Sequence, residues 1–491
     1  MRLPRRSNNR IDINSLFRIL IVAISIFNFY AFKENGPNAY IDVSTLIYSL
    51  ILGLELFGLL LYERIYRSPL LIILCLQNIF FYFLRVGTLL YFPTSLTLNR
   101  GDYRFEDINI ALLFIIVSNL VIFIALICSN RENLNQKQNT DLVGDVNRKK
   151  IYIIIFFLVF LIMVFFIGNV GPDALMTLTR FFISIFFDNS IMIMLLLAMQ
   201  IVPSGQNNFF IKNISWMLIC VYVLLHTFLG SRSSILTVFY CVLFVTLAEY
   251  NCIKLKKTSL AFITVVLLIT IPLFTAITSM RTIIGDKERQ SISLENIKLI
   301  SDFDYDFSDA EFILSPVFQR IGYLDFASEL MASGDKYYSL FNIKYYLMSL
   351  TDNILTPGFD IFDTPKIATS LKFVYEDLGR PSKANVAEEY HSDCFTIYGE
   401  FFVLFRGWAA LLPIFLISYF INRSYNKVGG NNQYLRLVKK SILLLIFFNI
   451  FQSFGFDTLA ALVIGFYGTF WLATKFLLLV FNQRFVKAPY S

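Results

Sequence analysis

The sequence predicts an all-α polytopic membrane protein with about a dozen spanning helices, and three observations predict it. The first is composition: of 491 residues, 56% are hydrophobic and 16% charged, with 53 phenylalanines and a mean hydropathy of +0.63. Soluble domains carry about 25% charged residues, and a soluble fold has no place to hide this much apolar surface, whereas lipid does. The second is the recurrence of apolar runs near the roughly 20 residues that a helix needs to cross the hydrocarbon layer. The third is the distribution of Lys and Arg, which alternates between rich and poor connecting loops.

The runs are Leu16–Phe32, Ser44–Tyr62, Pro69–Phe92, Ile108–Cys128, Ile151–Gly168, Phe181–Val202, Ile214–Gly230, Ser233–Ala248, Leu260–Met280, Asp393–Phe420, Ser441–Phe456 and Leu459–Phe481. Asp188 interrupts the sixth, so Gly171–Phe187 has the alternative of lying in the interface as an amphipathic piece. With the N-terminus inside, the inner loops and termini hold 22 Lys and Arg, and the short outer loops hold five: Lys33, Arg100, Arg104, Arg180 and Arg232. That bias places both termini in the cytoplasm. No cleavable leader is expected, because the run after the basic segment Met1–Arg10 is long enough to span.

Three segments follow. Residues 1–280 carry the first nine spans, residues 281–392 form one large extracytoplasmic loop, and residues 393–491 carry the last three. The loop holds 11 Lys and Arg against 18 Asp and Glu, a net of −7 on a chain whose total is +7. Ser308–Ala332 and Tyr337–Asp352 repeat apolar residues at three and four spacing and read as helices. Pro357, Gly358, Pro365, Gly379 and Pro381 break the rest. Only Cys394 of the six cysteines lies near the loop, so no disulfide is expected there. Asn130–Lys150 reads as a polar cytoplasmic linker.

The sequence holds no phosphate-binding Walker loop, no HExxH and no Cys/His zinc cage, which excludes the chemistries that those motifs carry. Nothing points to nucleic acid or to a cofactor. What remains is a set of arginines, two histidines and carboxylates on the outer side. Arg232 lies in the short turn Leu229-Gly230-Ser231-Arg232-Ser233-Ser234. A guanidinium there suits a phosphate, because its planar fork bonds two oxygens at once; the alternative is an interfacial arginine that snorkels to headgroups. Arg281 lies just beyond a span, and Arg320 lies in the loop, where a salt bridge to a loop carboxylate is the alternative. Arg85 and Arg406 fall inside spans. An arginine there costs about 2.5–3.5 kcal/mol on insertion scales, so each is expected to face a partner or a wet cavity.

The two histidines, His226 and His391, map to the outer ends of spans. His391 follows Glu388-Glu389-Tyr390 where the loop re-enters the membrane, and with a reference pKa of ~6.5 it suits general-base work. Glu389 is the alternative base, and an ordinary polar interface residue is the bland one. The run Asp302-Phe303-Asp304-Tyr305-Asp306 opens like a calcium loop, but Phe307 stands where glycine is needed and Ile313 where the closing glutamate belongs. It reads as a solvated acidic face, and no metal site is expected.

A dozen spans, inside termini, a late large outer loop, the Gly-Ser-Arg-Ser turn and the outer arginines together resemble the Wzy-type polysaccharide polymerases, also called O-antigen or repeat-unit polymerases. Tyr398-Gly399-Glu400-Phe401-Phe402 and Arg406-Gly407-Trp408 resemble the glycine-containing helix after the large loop in that family. The resemblance covers most of the chain as topology and only short stretches as sequence. It implies a GT-C-like fold in the bacterial cytoplasmic membrane. It also implies metal-independent, inverting transfer of a glycan from undecaprenyl pyrophosphate onto the next lipid-linked repeat unit. The partners are then the undecaprenyl-pyrophosphate-linked oligosaccharide, the growing glycan, membrane lipids and a chain-length regulator.

Within that resemblance, Arg232, Arg281 and Arg320 are the pyrophosphate candidates, and His391 and Glu389 the catalytic ones. Arg85, Arg406 and His226 are intramembrane polar contacts. His391-Ser392 resembles the histidine pair of the related O-antigen ligases, but six residues separate Ser392 from Gly399 where the ligase pattern has nine. A lipid-linked oligosaccharide flippase or transporter is the reading from another class. Detectable repeat halves would favour it.

Overall fold

In a computed structural model of the chain, the described residues are 10–66, 68–93, 104–130, 153–155, 157–162, 189–201, 208–228, 233–250, 254–256, 314, 318, 322–340, 342–355, 361–365, 367, 396–429 and 433–452. They are almost entirely helical. The first helices are α1 (Ile13–Asn35), α2 (Val43–Tyr66), α3 (Pro69–Asn78) and α4 (Leu84–Tyr91), with α3 and α4 joined through a π-helical turn at Ile79–Phe83. There follow α5 (Phe105–Asn130), α6 (Asn189–Ile201), α7 (Asn208–Phe228) and α8 (Ser233–Tyr250). Helices α9 (Tyr323–Ala332), α10 (Gly334–Leu340) and α11 (Ile343–Leu350) lie in the segment read as a loop. Then come α12 (Ile397–Leu404), α13 (Leu411–Lys427) and α14 (Gln433–Gln452).

This is a membrane protein. Among the described residues, four helices are long and apolar enough to cross a bilayer: Asn14–Asn35, Val43–Glu63, Pro69–Tyr91 and Phe105–Ser129. A fifth is added if the bent pair α12 and α13 counts as one span. Large apolar side chains lie on the outside of α1 and α2: Ile19 is 67% exposed, Ile26 65% and Leu54 74%. Water would penalise such a surface at about 25 cal/mol per Å², and hydrocarbon does not.

The packing gives the bundle two distinct ends. At one, the Asn14 side-chain amide donates to Glu63, joining the start of α1 to the end of α2. Asn422 of α13 donates to the Leu126 carbonyl (2.9 Å) and to the Ser129 hydroxyl (2.6 Å) at the end of α5. At this end too, Arg10–Asp12 pairs antiparallel with Lys254–Lys256, with Arg10 opposite Lys256 and Asp12 opposite Lys254. Arg18, Arg423 and Lys427 lie near these contacts in their helices, so this end is basic. At the opposite end, the Phe105 N–H donates to the Ala39 carbonyl (3.1 Å) and Asn38 donates to the Leu89 carbonyl (3.3 Å). There Asp42 caps α2, accepting from the Thr45 N–H and hydroxyl, each at 2.7 Å. Burial works to raise the Asp42 carboxyl, but the Thr45 bonds outweigh it and hold the group below its ordinary value.

Two of the expected spans depart from a plain helix. The run Pro69–Phe92 is helical throughout, but its middle turn is π-helical at Ile79–Phe83, a geometry that inserts an extra residue and recurs at functional positions. The Asn28 amide of α1 donates to the Phe83 carbonyl (3.0 Å) beside it. Gly87 permits this close approach, since a Cβ there would meet the Asn28 Oδ1 at 2.3 Å. The run Asp393–Phe420 is not one helix: α12 and the helical stretch Trp408–Lys427 are bent by 118° at Phe405–Gly407. The apolar run is broken where Arg406 (φ +55°) and Gly407 (φ +87°) both take positive φ after α12.

Candidate functional site

The segment between residues 281 and 392 does not lie wholly outside the bundle. Helix α9 packs against α5, α12 and the π-turn, and Tyr323 through Met331 are all buried. A short helix buried on every side has to have its polar groups met by neighbours, and α9 carries Asp325 and Glu329. Gly399 of α12 makes the contact tight: a Cβ there would sit 3.3 Å from the Ala327 Cα.

Arg85 is the partner of Asp325. Its Nε donates to Asp325 Oδ1 (3.0 Å) and its Nη2 to Oδ2 (2.6 Å), the two-pronged arrangement that best matches a guanidinium to a carboxylate. Both side chains are fully buried. The third nitrogen, Nη1, donates to the Phe318 carbonyl (3.2 Å) and lies 3.5 Å from the Thr88 hydroxyl. Arg85, in the apolar run Pro69–Tyr91, thus has a partner 240 residues away in the acidic segment. Phe81 against Tyr323 (4.3 Å) and Phe92 against Phe318 (5.3 Å) wall the pair off with aromatic rings.

A separate set of polar groups meets inside the bundle. The Tyr398 hydroxyl donates to Asn119 Oδ1 (3.0 Å), and the Asn119 amide donates to Asn78 Oδ1 (3.2 Å) and reaches Glu55 Oε2 at 3.5 Å. The Tyr82 and Tyr398 rings pack edge to face at 5.5 Å. The Gln77 amide donates to the Phe448 carbonyl at 2.6 Å. Helices α2, α3, α5, α12 and α14 therefore share a polar seam inside an apolar bundle, which is expensive to build.

Arg406 is placed differently from Arg85. It lies at the elbow between α12 and α13, exposed, with its guanidinium 3.9 Å above the Tyr338 ring of α10. His226 falls in the last turn of α7. Helix α7 ends at Phe228, α8 begins at Ser233, and the two helices pack together. Arg232, Arg281, Arg320, Glu389 and His391 lie outside the described residues, as do Asp302, Asp304 and Asp306. Among the described residues, no group of three or more His, Cys, Asp or Glu side chains is placed to hold a metal.

The sequence reading missed Asp325, Glu55, Asn119 and Tyr398. Asp325 had a signal: a carboxylate in a stretch read as helical, on a chain with an arginine buried in a span. The others had none, because a single polar residue in an apolar run does not name its partner. No protein-family model, curated protein or solved structure matches the chain.

Proposed function

We propose that the chain is a membrane-embedded glycosyltransferase of the repeat-unit polymerase kind. It would transfer a glycan from a polyprenyl pyrophosphate carrier onto a second lipid-linked repeat unit at the outer face of the bacterial cytoplasmic membrane. The observation that carries this reading is the buried Arg85–Asp325 pair, through which the acidic segment 281–392 is anchored inside the apolar bundle. An enzyme whose substrates have a lipid tail and a sugar head needs a polar segment seated on the spans at the depth of the linking phosphates. The polar seam from Asn78 to Tyr398 supports the same demand.

In this reading the basic end of the bundle faces the cytoplasm, in accord with the charge bias of the loops, and α9 enters from the outer side. About twelve spans in a GT-C-like arrangement would surround the site. The acceptor hydroxyl attacks the anomeric carbon, the bond from that carbon to the pyrophosphate oxygen breaks, and the hydroxyl proton passes to a base. His391 or Glu389 supplies the base. Arg232, Arg281 and Arg320 hold the departing pyrophosphate, where fixed positive charge matters most because negative charge grows there as the bond breaks. No metal enters the scheme.

Deletion of the gene with profiling of the lipid-linked glycans tests the proposal. Loss of long chains with single repeat units retained is the expected result. Loss of the single units as well would overturn it in favour of a flippase or an earlier step.

A further inference from the structure

Helix α11 is built inside-out. Its inward side carries Tyr345, Tyr346 and Ser349, all buried, and the π-helical turn Thr351–Leu355 that continues it buries Asp352. Its outward side carries Ile343, 56% exposed, and Leu347, 58% exposed, four residues apart and so on one face. Leu355, at the end of the π-turn, is 63% exposed. A helix that faces water does the reverse, with its polar side chains out and its aliphatic ones in.

The loop bonded to this helix repeats the pattern. Ile361 is 59% exposed and Phe362 45%, while Thr364 is buried. The loop's backbone is satisfied from within. The Phe362 N–H donates to both oxygens of Asp352 (3.2 and 3.1 Å), and the Thr364 N–H to one of them (2.8 Å). The Asn353 amide donates to the Thr364 carbonyl, and the Ser349 hydroxyl to the Pro365 carbonyl, each at 3.0 Å. Hydrocarbon offers an irregular backbone no hydrogen bonds, so a loop that meets it has to close its own.

The height of these residues follows from α12. Tyr345, Tyr346 and Ile367 share one buried cluster with Leu330 of α9 and with Val403 and Leu404 at the end of α12. Phe402, next to Val403, packs edge to face on Phe114 of α5 at 5.1 Å. Phe114 belongs to the apolar span Phe105–Ser129 and lies seven residues past Asp107 of its first turn, about 10 Å along the helix at 1.5 Å per residue. The buried side of α11 is therefore seated against a helix that packs at the level of the spans. Lys344 and Asp363, both exposed, flank the apolar residues, as charged groups do where a helix lies at the headgroup boundary.

We infer that α11, its π-turn and the loop Ile361–Pro365 form a monotopic element whose outward residues Ile343, Leu347, Leu355, Ile361 and Phe362 lie among the acyl chains of one leaflet, beside the bundle. The occupant of this face is lipid, because α11 is seated on α12, which packs on the spanning helix α5, and because inverted polarity and a self-satisfied loop answer to hydrocarbon and not to water. Part of the acidic segment expected to lie in water is then a shelf on the membrane. The inference rests on the membrane placement and not on the glycosyl-transfer reading.

The test places p-benzoylphenylalanine at Leu347, at Phe362 or, for reference, at Ile19 on the outside of the spanning helix α1, in the full-length protein in phosphatidylcholine vesicles. After irradiation the intact mass of each protein is measured and cross-links are mapped. Leu347 and Phe362 are both on the surface, and the two positions report independently. The expected result at both is a gain of one phospholipid mass, at a yield comparable with that at Ile19. Adducts at Ile19 alone would overturn the inference and leave the face to water. A doubled mass would overturn it in favour of a second copy of the chain, and an internal cross-link without mass gain in favour of another segment of this chain. Lack of a lipid adduct at all three positions would overturn the membrane placement with it.

Discussion

Asp325→Ala is the substitution with the largest expected effect on stability. Wild-type Asp325 takes two bonds from Arg85, at 3.0 and 2.6 Å, with both side chains buried. Removing the carboxylate leaves a buried guanidinium without its two-pronged partner. Breaking a buried pair in this way costs about 3–5 kcal/mol, or about two to four decades in the unfolding equilibrium. The pair itself contributes much less than that, because burying both charges is nearly as unfavourable as their attraction is favourable. The double variant Arg85→Met with Asp325→Leu removes both charges and fills similar volume. It is expected to recover all but about 1–3 kcal/mol, the penalty for leaving the Phe318 carbonyl without its donor. Asp325→Asn separates charge from shape and is expected to lie near Asp325→Ala. Equilibrium unfolding in detergent micelles measures all four proteins. If the double variant is as unstable as Asp325→Ala, or if Asp325→Ala unfolds like the wild type, the pair is not what anchors α9 in the bundle.

Other substitutions probe neighbouring steps. Gly399→Leu puts a side chain against Leu330 and the Ala327 backbone; it is expected to lower stability by about 1–3 kcal/mol in the same unfolding assay, with Gly399→Ala milder. Arg232→Ala is expected to abolish chain growth at normal expression, and Arg232→Lys to impair it. A lost charged hydrogen bond to phosphate is worth about 1.5–3 kcal/mol, or one to two decades in rate, and normal chains from Arg232→Ala would reduce that arginine to an interface anchor. Cysteines placed at Lys149 and Lys256 are expected to resist an impermeant thiol reagent in intact cells, and those at Asp304 and Lys383 to react; the reverse pattern would invert the orientation.

The helices were legible in the sequence where the apolar runs are long and unbroken. Ser44–Tyr62 and Ile108–Cys128 fall within α2 and α5. The π-turn at Ile79–Phe83 was not legible, because Ile-Phe-Phe-Tyr-Phe satisfies the apolar requirement in either helical geometry. Gly407 gave a visible stop signal for α12, but in a run of apolar residues the length of the run outweighed it. Arg85 announced that a partner existed. Only tertiary packing names Asp325, since a contact over 240 residues leaves no trace in local periodicity. The candidate residues Arg232, Arg281, Arg320, Glu389 and His391 rest on the sequence alone.

The departures from local preference fall in one connected region. The π-turn ends two residues before Arg85, the left-handed Arg406 ends the helix that holds Gly399, and α9 packs on both the π-turn and α12. A bundle selected only for stability would remove each of these: an α-helical turn at Ile79, glycine at 406, and leucine at 85 and 325 all satisfy backbone and packing rules better. Each departure instead holds a charged or polar group at a fixed place in an apolar surrounding. The π-turn shifts the register so that Arg85 meets α9, and the strained elbow sets the Arg406 guanidinium on Tyr338, in the helix directly after α9. Both arginines therefore contact the acidic segment, Arg85 at Phe318 and Asp325 and Arg406 at Tyr338.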